Sequence, residues 1–248
     1  MFTGIIEAFG RVTELKKEDT NLHITLESAL ASSLKIDQSV AHNGVCLTVV
    51  EIQNQNYRVT AINETLQKTN IGDLQIGQKV NLERCMLASA RFDGHIVQGH
   101  VDLTGTCTQI KDQQGSWEFH FSYPAVSGQM TVEKGSICVN GTSLTVVNSG
   151  LDHFSVAIIP YTFEHTIFHQ LEIGSRVNLE FDILGKYIQK MMAKKYSRQK
   201  RFEIVYKCCA KMKRCGQDNP NGCGVKLLKF LFDNFFKDSI KRNIVSKS

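Results

Sequence analysis

No apolar run in this 248-residue chain approaches the roughly 18 residues that cross a bilayer, which excludes a helical membrane span. The opening Met1-Phe2-Thr3-Gly4-Ile5-Ile6-Glu7 has neither a basic n-region nor a long apolar stretch. No secretory signal is expected from it, and the chain reads as cytoplasmic. The eight cysteines lack metal-ligand spacing. Cys46, Cys85, Cys107 and Cys138 are scattered and read as reduced, buried small residues. Cys208, Cys209, Cys215 and Cys223 crowd together in a pattern that fits no standard zinc site. Residues 1–195 also lack a basic excess, with 16 Lys+Arg against 20 Asp+Glu, whereas residues 196–248 hold 13 against 4. The net charge of +5 therefore belongs to the tail. An acidic body with few candidate stacking aromatics argues against a nucleic-acid module.

What is present is a duplication. Asn43-Gly44-Val45-Cys46-Leu47-Thr48-Val49-Val50 returns as Asn140-Gly141-Thr142-Ser143-Leu144-Thr145-Val146-Val147. Leu74-Gln75-Ile76-Gly77-Gln78-Lys79-Val80-Asn81-Leu82-Glu83 returns as Leu171-Glu172-Ile173-Gly174-Ser175-Arg176-Val177-Asn178-Leu179-Glu180, at the same offset of 97 residues. Thr3-Gly4-Ile5-Ile6-Glu7 is echoed by Gln98-Gly99-His100-Val101-Asp102 at an offset of 95. Two copies, each long enough to close its own core, predict paired domains and not a solenoid. The boundaries expected are 1–93 and 94–182, a helix over 183–195 and a basic extension over 196–248.

Each copy reads as short, β-branched strands with polar alternation. In the first copy these are residues 22–26, 45–52, 57–62 and 79–83; in the second, 119–121, 144–148, 154–159 and 176–181. Asn54-Gln55-Asn56 predicts a hairpin connection, and Gly72-Asp73 and Gly77-Gln78 predict turns. Six or so antiparallel strands in about 90 residues predict a small closed or nearly closed barrel, which removes exposed edges. Short helices are expected after Glu64-Thr65-Leu66 and Tyr161-Thr162-Phe163, with Thr as cap. Ile183, Leu184, Tyr187, Ile188, Met191 and Met192 stand near helical spacing. That helix either covers a barrel or associates subunits. The tail reads as an extension unrelated to the activity. A metal site, or a basic amphipathic helix over 225–232 for a membrane surface or nucleic acid, are its alternatives.

Where the copies agree, an Asn-Gly entry and a Cys/Ser-Leu-Thr strand have two readings. One is a turn feeding a core strand; the other is a wall of donors and acceptors suited to a polar heteroaromatic ring. Where they differ, Cys46 corresponds to Ser143, Ile5 to His100, His42 to Val139 and Glu64 to Tyr161. Gly94-His95-Ile96-Val97-Gln98-Gly99-His100-Val101 combines two imidazoles with glycines that admit close backbone approach. Lone histidines are more often surface or satisfied residues, so both readings of His95 and His100 stay open here.

Residues 1 to about 190 resemble riboflavin synthase of the trimeric, α-chain type. The resemblance rests on Met1-Phe2-Thr3-Gly4-Ile5-Ile6, Ser39-Val40-Ala41-His42-Asn43-Gly44-Val45-Cys46-Leu47-Thr48, Asn63-Glu64-Thr65-Leu66, the 94–101 segment and Asn140-Gly141-Thr142-Ser143-Leu144-Thr145. It implies an all-β fold of two homologous six-stranded Greek-key β-barrels with a C-terminal helix. It implies dismutation of two 6,7-dimethyl-8-ribityllumazine molecules into riboflavin and 5-amino-6-ribitylaminopyrimidinedione, with no metal or dissociable cofactor. It implies a homotrimer with the reactive pair between subunits, and no nucleic-acid or membrane partner. Matched by motif, an N-terminal pocket would use Gly4, Ile5, Ile6, Ser39, Cys46, Leu47, Thr48, Ile62, Asn63, Glu64 and Thr65. A C-terminal pocket would use Gly99, His100, Val101, Lys134, Ser143, Leu144, Thr145, Ile159, Pro160, Tyr161 and Thr162. Phe2, Thr3, His95 and Asp182 would surround the reaction centre, with His100, Cys46 and Ser143 as catalytic candidates. Tyr161 departs from the Glu that relatives usually carry, and Asn140 stands where some relatives have Asp. A non-catalytic lumazine or flavin carrier on the same double barrel is the alternative, separated by whether riboflavin forms.

Overall fold

The computed structural model describes residues 1–125 and 129–193. The tail cysteines, the 225–232 segment and the last two residues of the expected 183–195 helix lie outside the described residues. The first barrel is built from β1 (Ala8–Glu18), β2 (Asn21–Glu27), β3 (Ser39–His42), β4 (Val45–Gln53), β5 (Asn56–Ala61), a short helix α1 (Asn63–Lys68) and β6 (Lys79–Arg84). The second repeats it with β7 (Leu103–Asp112), β8 (Trp117–Ser122), β9 (Ser136–Val139), β10 (Thr142–Ser149), β11 (His153–Ile158), α2 (Pro160–His165) and β12 (Arg176–Phe181). Residues 183–193 form the helix α3. No helix among the described residues is long and apolar enough to cross a membrane.

Both sheets are antiparallel and close on themselves, in the orders β1-β2-β5-β4-β3-β6 and β7-β8-β11-β10-β9-β12. Bulges fall at matching places: Val12/Glu14 and Val49/Glu51 in the first barrel, Cys107/Gln109 and Val146/Asn148 in the second. An extra residue bends a strand and deepens its twist, which lets a short six-stranded sheet curl round on itself. The inward set of each barrel is continuous. Val12, Ile24, Leu26, Val40, Val49, Val59, Val80 and Leu82 fill the first; Phe119, Phe121, Ile137, Val146, Phe154, Phe168, Val177 and Leu179 fill the second.

Sequence patterning found β2, β4, β5 and β6 and their counterparts, but not β1, β3, β7 or β9. β1 runs out into the exposed polar stretch Glu14 to Glu18, and β3 and β9 are four residues each. Alternation is hard to detect at that length. The expected threonine caps are corrected by the structure. Thr65 and Thr162 lie inside α1 and α2, whose N-caps, Ile62 and Ile159, make no side-chain cap bond. The capping threonines are Thr69 and Thr166, which accept from the Ile71 and Phe168 amides at the following 3-10 turns. Their hydroxyls also donate to the Thr65 and Thr162 carbonyls at 2.7 and 2.6 Å, closing the last turn of each helix.

Candidate functional site

The Asn-Gly segments are turns feeding core strands, the first of their two readings, and they also form the joint between the barrels. Asn43 and Asn140 both adopt φ 46, and the glycines after them adopt φ 80 and 82, the left-handed pair a tight hairpin requires. A Cβ on Gly44 would stand 2.7 Å from the Gly141 nitrogen, and one on Gly141 would stand 2.7 Å from the Gly44 nitrogen. Four asparagines stitch this contact. Asn43 Oδ1 accepts the Asn81 amide, and Asn81 Nδ2 donates to the Asn140 carbonyl at 2.9 Å. Asn140 Oδ1 accepts the Asn178 amide, and Asn178 Nδ2 donates to the Asn43 carbonyl at 2.9 Å. Beside them lies a cavity of about 240 Å³, lined in part by Asn70, Asp73, Lys79 and Arg176. The Asn140 departure therefore sits in the joint. Its Nδ2 is buried without a hydrogen-bond partner among the described residues.

Two leading segments also cross between the barrels. Phe2 and Val97 exchange backbone hydrogen bonds of 2.8 and 3.1 Å, and their buried side chains pack with Ala41 and Cys138. Past this bridge each segment reaches the opposite barrel. The Ser143 amide on β10 donates to the Gly4 carbonyl at 2.8 Å, and the Cys46 amide on β4 donates to the Gly99 carbonyl at 2.9 Å. Val101 packs against the core of the first barrel. The partition expected from the sequence is thus exchanged. Gly4 stands with Ser143, and Gly99 and Val101 stand with the Cys46 barrel.

The remaining predicted residues fall in two matching sets. In the first barrel, Ser39 opens β3 beside Thr48 on β4, and Ile62, Asn63, Glu64 and Thr65 form the β5–α1 corner. In the second, Ile159, Pro160, Tyr161 and Thr162 form the β11–α2 corner, with Pro160 at the first turn. Lys134 takes φ 64 in the turn before β9, where its amide donates to the Val146 carbonyl. Leu47 and Leu144 point into the cores, so they offer the outer face only backbone, while Cys46, Thr48, Ser143 and Thr145 alternate outward. Ile5, Ile62 and Ile159 are 45%, 54% and 58% exposed, large apolar side chains left open to solvent. Asp182 accepts the Leu184 amide at 2.9 Å and so caps α3.

The two sets carry different chemistry. In the Ser143 set, His95 Nδ1 lies 2.6 Å from Ser143 Oγ. Burial holds the His95 imidazole below its ordinary value, while the Asp182 charge pulls it back up. In its neutral form the ring can accept a hydrogen bond from the hydroxyl, the geometry of a general base beside a nucleophile. In the Cys46 set, burial pushes the thiol up, against a hydrogen bond from the Ser39 side chain that lowers it. Cys46 is therefore a neutral thiol at rest. His100 follows Gly99 on the segment that meets Cys46, and its side chain is exposed. Among the described residues no group of three His, Cys, Asp or Glu could hold a metal.

The sequence reading missed two carboxylates that hold the segments in place. Glu83 accepts from the Thr3 amide at 2.6 Å, the Thr3 hydroxyl at 2.9 Å and the Gly4 amide at 2.9 Å. Glu180 accepts from the Gln98, Gly99 and His100 amides at 2.6, 2.9 and 2.9 Å. Burial raises both pKa values, against these hydrogen bonds. The repeated Val-Asn-Leu-Glu at 80–83 and 177–180 was the signal available for them.

Twin closed barrels, each offering an outer shelf beside a crossing segment, define a double-domain ligand-binding protein. A family model described as a lumazine binding domain matches residues 3–85 and again 98–182. Riboflavin synthase of Actinobacillus pleuropneumoniae is 39% identical over 196 residues, 79% of this chain and 91% of that protein. The riboflavin synthases of Bacillus subtilis (strain 168) and Mycobacterium bovis are 38% and 40% identical, covering 91% and 98% of those proteins. Solved structures of LumP, with riboflavin and with 6,7-dimethyl-8-(1'-D-ribityl) lumazine, match at TM-scores of 0.68 and 0.66 and 22% identity. They cover 73% of this chain and 99% and 98% of those chains, and they show the fold. The chain belongs to the riboflavin synthase family.

Proposed function

We propose that this protein makes riboflavin from two molecules of 6,7-dimethyl-8-ribityllumazine, one giving a four-carbon unit to the other and leaving as 5-amino-6-ribitylaminopyrimidinedione. The observation that carries the reading is the pair of matched strands with unlike chemistry, a thiol whose amide meets the Gly99 carbonyl one residue before His100 on one and a His95-paired hydroxyl on the other. A dismutation needs two like molecules in two unlike roles. On the Cys46 side, His100 is the base or relay for a proton of the C7 methyl, whose anion delocalises into the pyrimidinedione. Backbone amides facing the ring carbonyls stabilise that anion. On the Ser143 side, addition of the hydroxyl or of a water activates the partner molecule. Holding two rings face to face supplies much of the remaining acceleration.

The exposed Ile5, Ile62 and Ile159 support a site that a second copy covers, within a homotrimer associated through α3. On α3 the apolar residues Leu184, Tyr187 and Ile188 are likewise uncovered in the single chain. Among the described residues the thiols of Cys46, Cys85, Cys107 and Cys138 are unpaired, which suits a reducing compartment and supports a cytoplasmic protein. Purified full-length protein mixed with the lumazine should generate riboflavin absorbance, with one pyrimidinedione per riboflavin. His100→Gln should lower turnover more than tenfold, about 1.4 kcal/mol of transition-state stabilisation. Binding without riboflavin would make the protein a carrier instead.

A further inference from the structure

The Glu83 and Glu180 carboxylates are almost fully buried, and neither forms a salt bridge among the described residues. Each spends its oxygens on three donors of one short segment. Burying an ion on such terms needs a return elsewhere, because several kcal/mol of solvation are given up. The return lies in the other barrel. Gly4, held by Glu83 on β6, presents its carbonyl to the Ser143 amide. Gly99, held by Glu180 on β12, presents its carbonyl to the Cys46 amide. Both glycines sit in the left-handed region, with φ 80 and 79, and a Cβ on either would stand 2.6 Å from the Cβ of its Ser or Cys partner. The contact has no slack.

We propose that Glu83 and Glu180 are positioning residues that work crosswise, each barrel's carboxylate fixing the reactive strand of the other barrel. Glu180 sets the Cys46 shelf in the first barrel, together with the His100 backbone. Glu83 sets the Ser143 shelf in the second. A side chain that served only its own barrel would disturb the opposite pairing, Glu83 with Cys46 and Glu180 with Ser143. The inference rests on the reading that these two strands line the ligand sites, but its structural core is independent of turnover.

Cys46 is a built-in reporter, because Gly99 packs directly on its Cβ. The test is alkylation of the folded full-length protein by iodoacetamide without substrate, resolved peptide by peptide by mass spectrometry. Glu180→Gln replaces one acceptor oxygen with an NH2 that faces backbone donors, and should speed Cys46 modification at least fivefold. Glu83→Gln should leave the Cys46 rate within twofold of wild type. Buried Cys107 acts as the internal control and should stay protected in both variants. Where Glu180→Gln does not fold, Glu180→Asp, which keeps the charge but withdraws it by one methylene, carries the same expectation. Equal acceleration of Cys46 by the two Gln variants overturns the crosswise assignment, as does an unchanged rate in Glu180→Gln. Because no substrate is added, failure of the synthase reading would appear only in the turnover assay and leave this result intact.

Discussion

The two barrels share a backbone and hardly any of their filling. Strand order, bulge positions, asparagine stitches and buried carboxylates coincide. Inside, the first barrel is aliphatic around one polar pair, His42 Nε2 bonded to Tyr57 Oη at 2.8 Å. The matched positions in the second are Val139 and Phe154, and Phe119, Phe121, Phe154 and Phe168 form an aromatic cluster. At the helical corners, Glu64 pairs with Lys68 at 2.7 Å, whereas Tyr161 stacks on His165 with ring centroids 4.0 Å apart. A core accepts substitutions that keep its volume, and a rim accepts almost any polar or aromatic residue. A left-handed turn against another backbone, or a carboxylate matched to three donors, accepts almost none. Duplication therefore preserved the frame and left the fillings and the reactive groups free to diverge.

The largest effect is expected where the barrels share a feature. Gly44→Ala and Gly141→Ala should each cost roughly 2–5 kcal/mol, combining a disfavoured φ with a clash against backbone. Urea unfolding should find the two losses equal within about 1 kcal/mol; a neutral result for either would mean that the turns do not meet.

Acid should separate the barrels next. Burial lowers the His42 pKa to about 4, whereas the matched Val139 does not titrate. A depressed histidine contributes stability that is full above its unfolded value, near 6.5, and is lost as pH falls toward 4. The loss at pH 4 should be about 3 kcal/mol. Glu83 and Glu180 run the other way, their raised values favouring the fold as pH falls, but this is common to wild type and variant and cancels in the difference. Urea melts from pH 7 to 4 should show His42→Val, combined with Tyr57→Phe, lacking this acid loss.

A smaller effect sharpens the same pair at neutral pH. Tyr57→Phe alone strands His42 Nε2 in the core and should cost about 1–3 kcal/mol. Adding His42→Val, the combination the second barrel already uses, should recover most of that loss in a double-mutant cycle. Simple additivity of the two would show that the hydroxyl and the ring act separately. Smallest of all is the rim. Tyr161→Glu with His165→Lys, copying the first barrel, should change stability by less than about 0.5 kcal/mol, since both groups are exposed. Ligand titration should nonetheless find aromatic ligand held roughly two- to tenfold more weakly, the worth of one stacked contact.

The barrel plan was legible wherever strands were long and alternating, and the candidate pair Cys46 and Ser143 stood out because one matched position had changed chemistry between copies. The grouping of those residues was misread. Gly4 and Cys46 belong to the same copy, so a repeat-by-repeat reading places them together, yet Gly4 touches Ser143, 139 positions later in the chain. Glu83 and Glu180 escaped notice because a glutamate ending a polar-alternating strand looks like any solvated charge. Asn43 and Asn140 were seen as turn residues, but their role in joining the barrels depends on a partner across the joint.

Sequence alone determined that there are two copies, that each is a small β-barrel and which matched positions differ in chemistry, because these properties live in local periodicity and in comparison of one copy with the other; the family came from the resemblance of its ordered motifs. The tertiary structure decided which leading segment serves which reactive strand, that Leu47 and Leu144 face inward, and that two glutamates are buried latches. Those outcomes follow from closing two sheets and docking them through backbone hydrogen bonds, and such bonds leave no trace in the identity of the residues that make them.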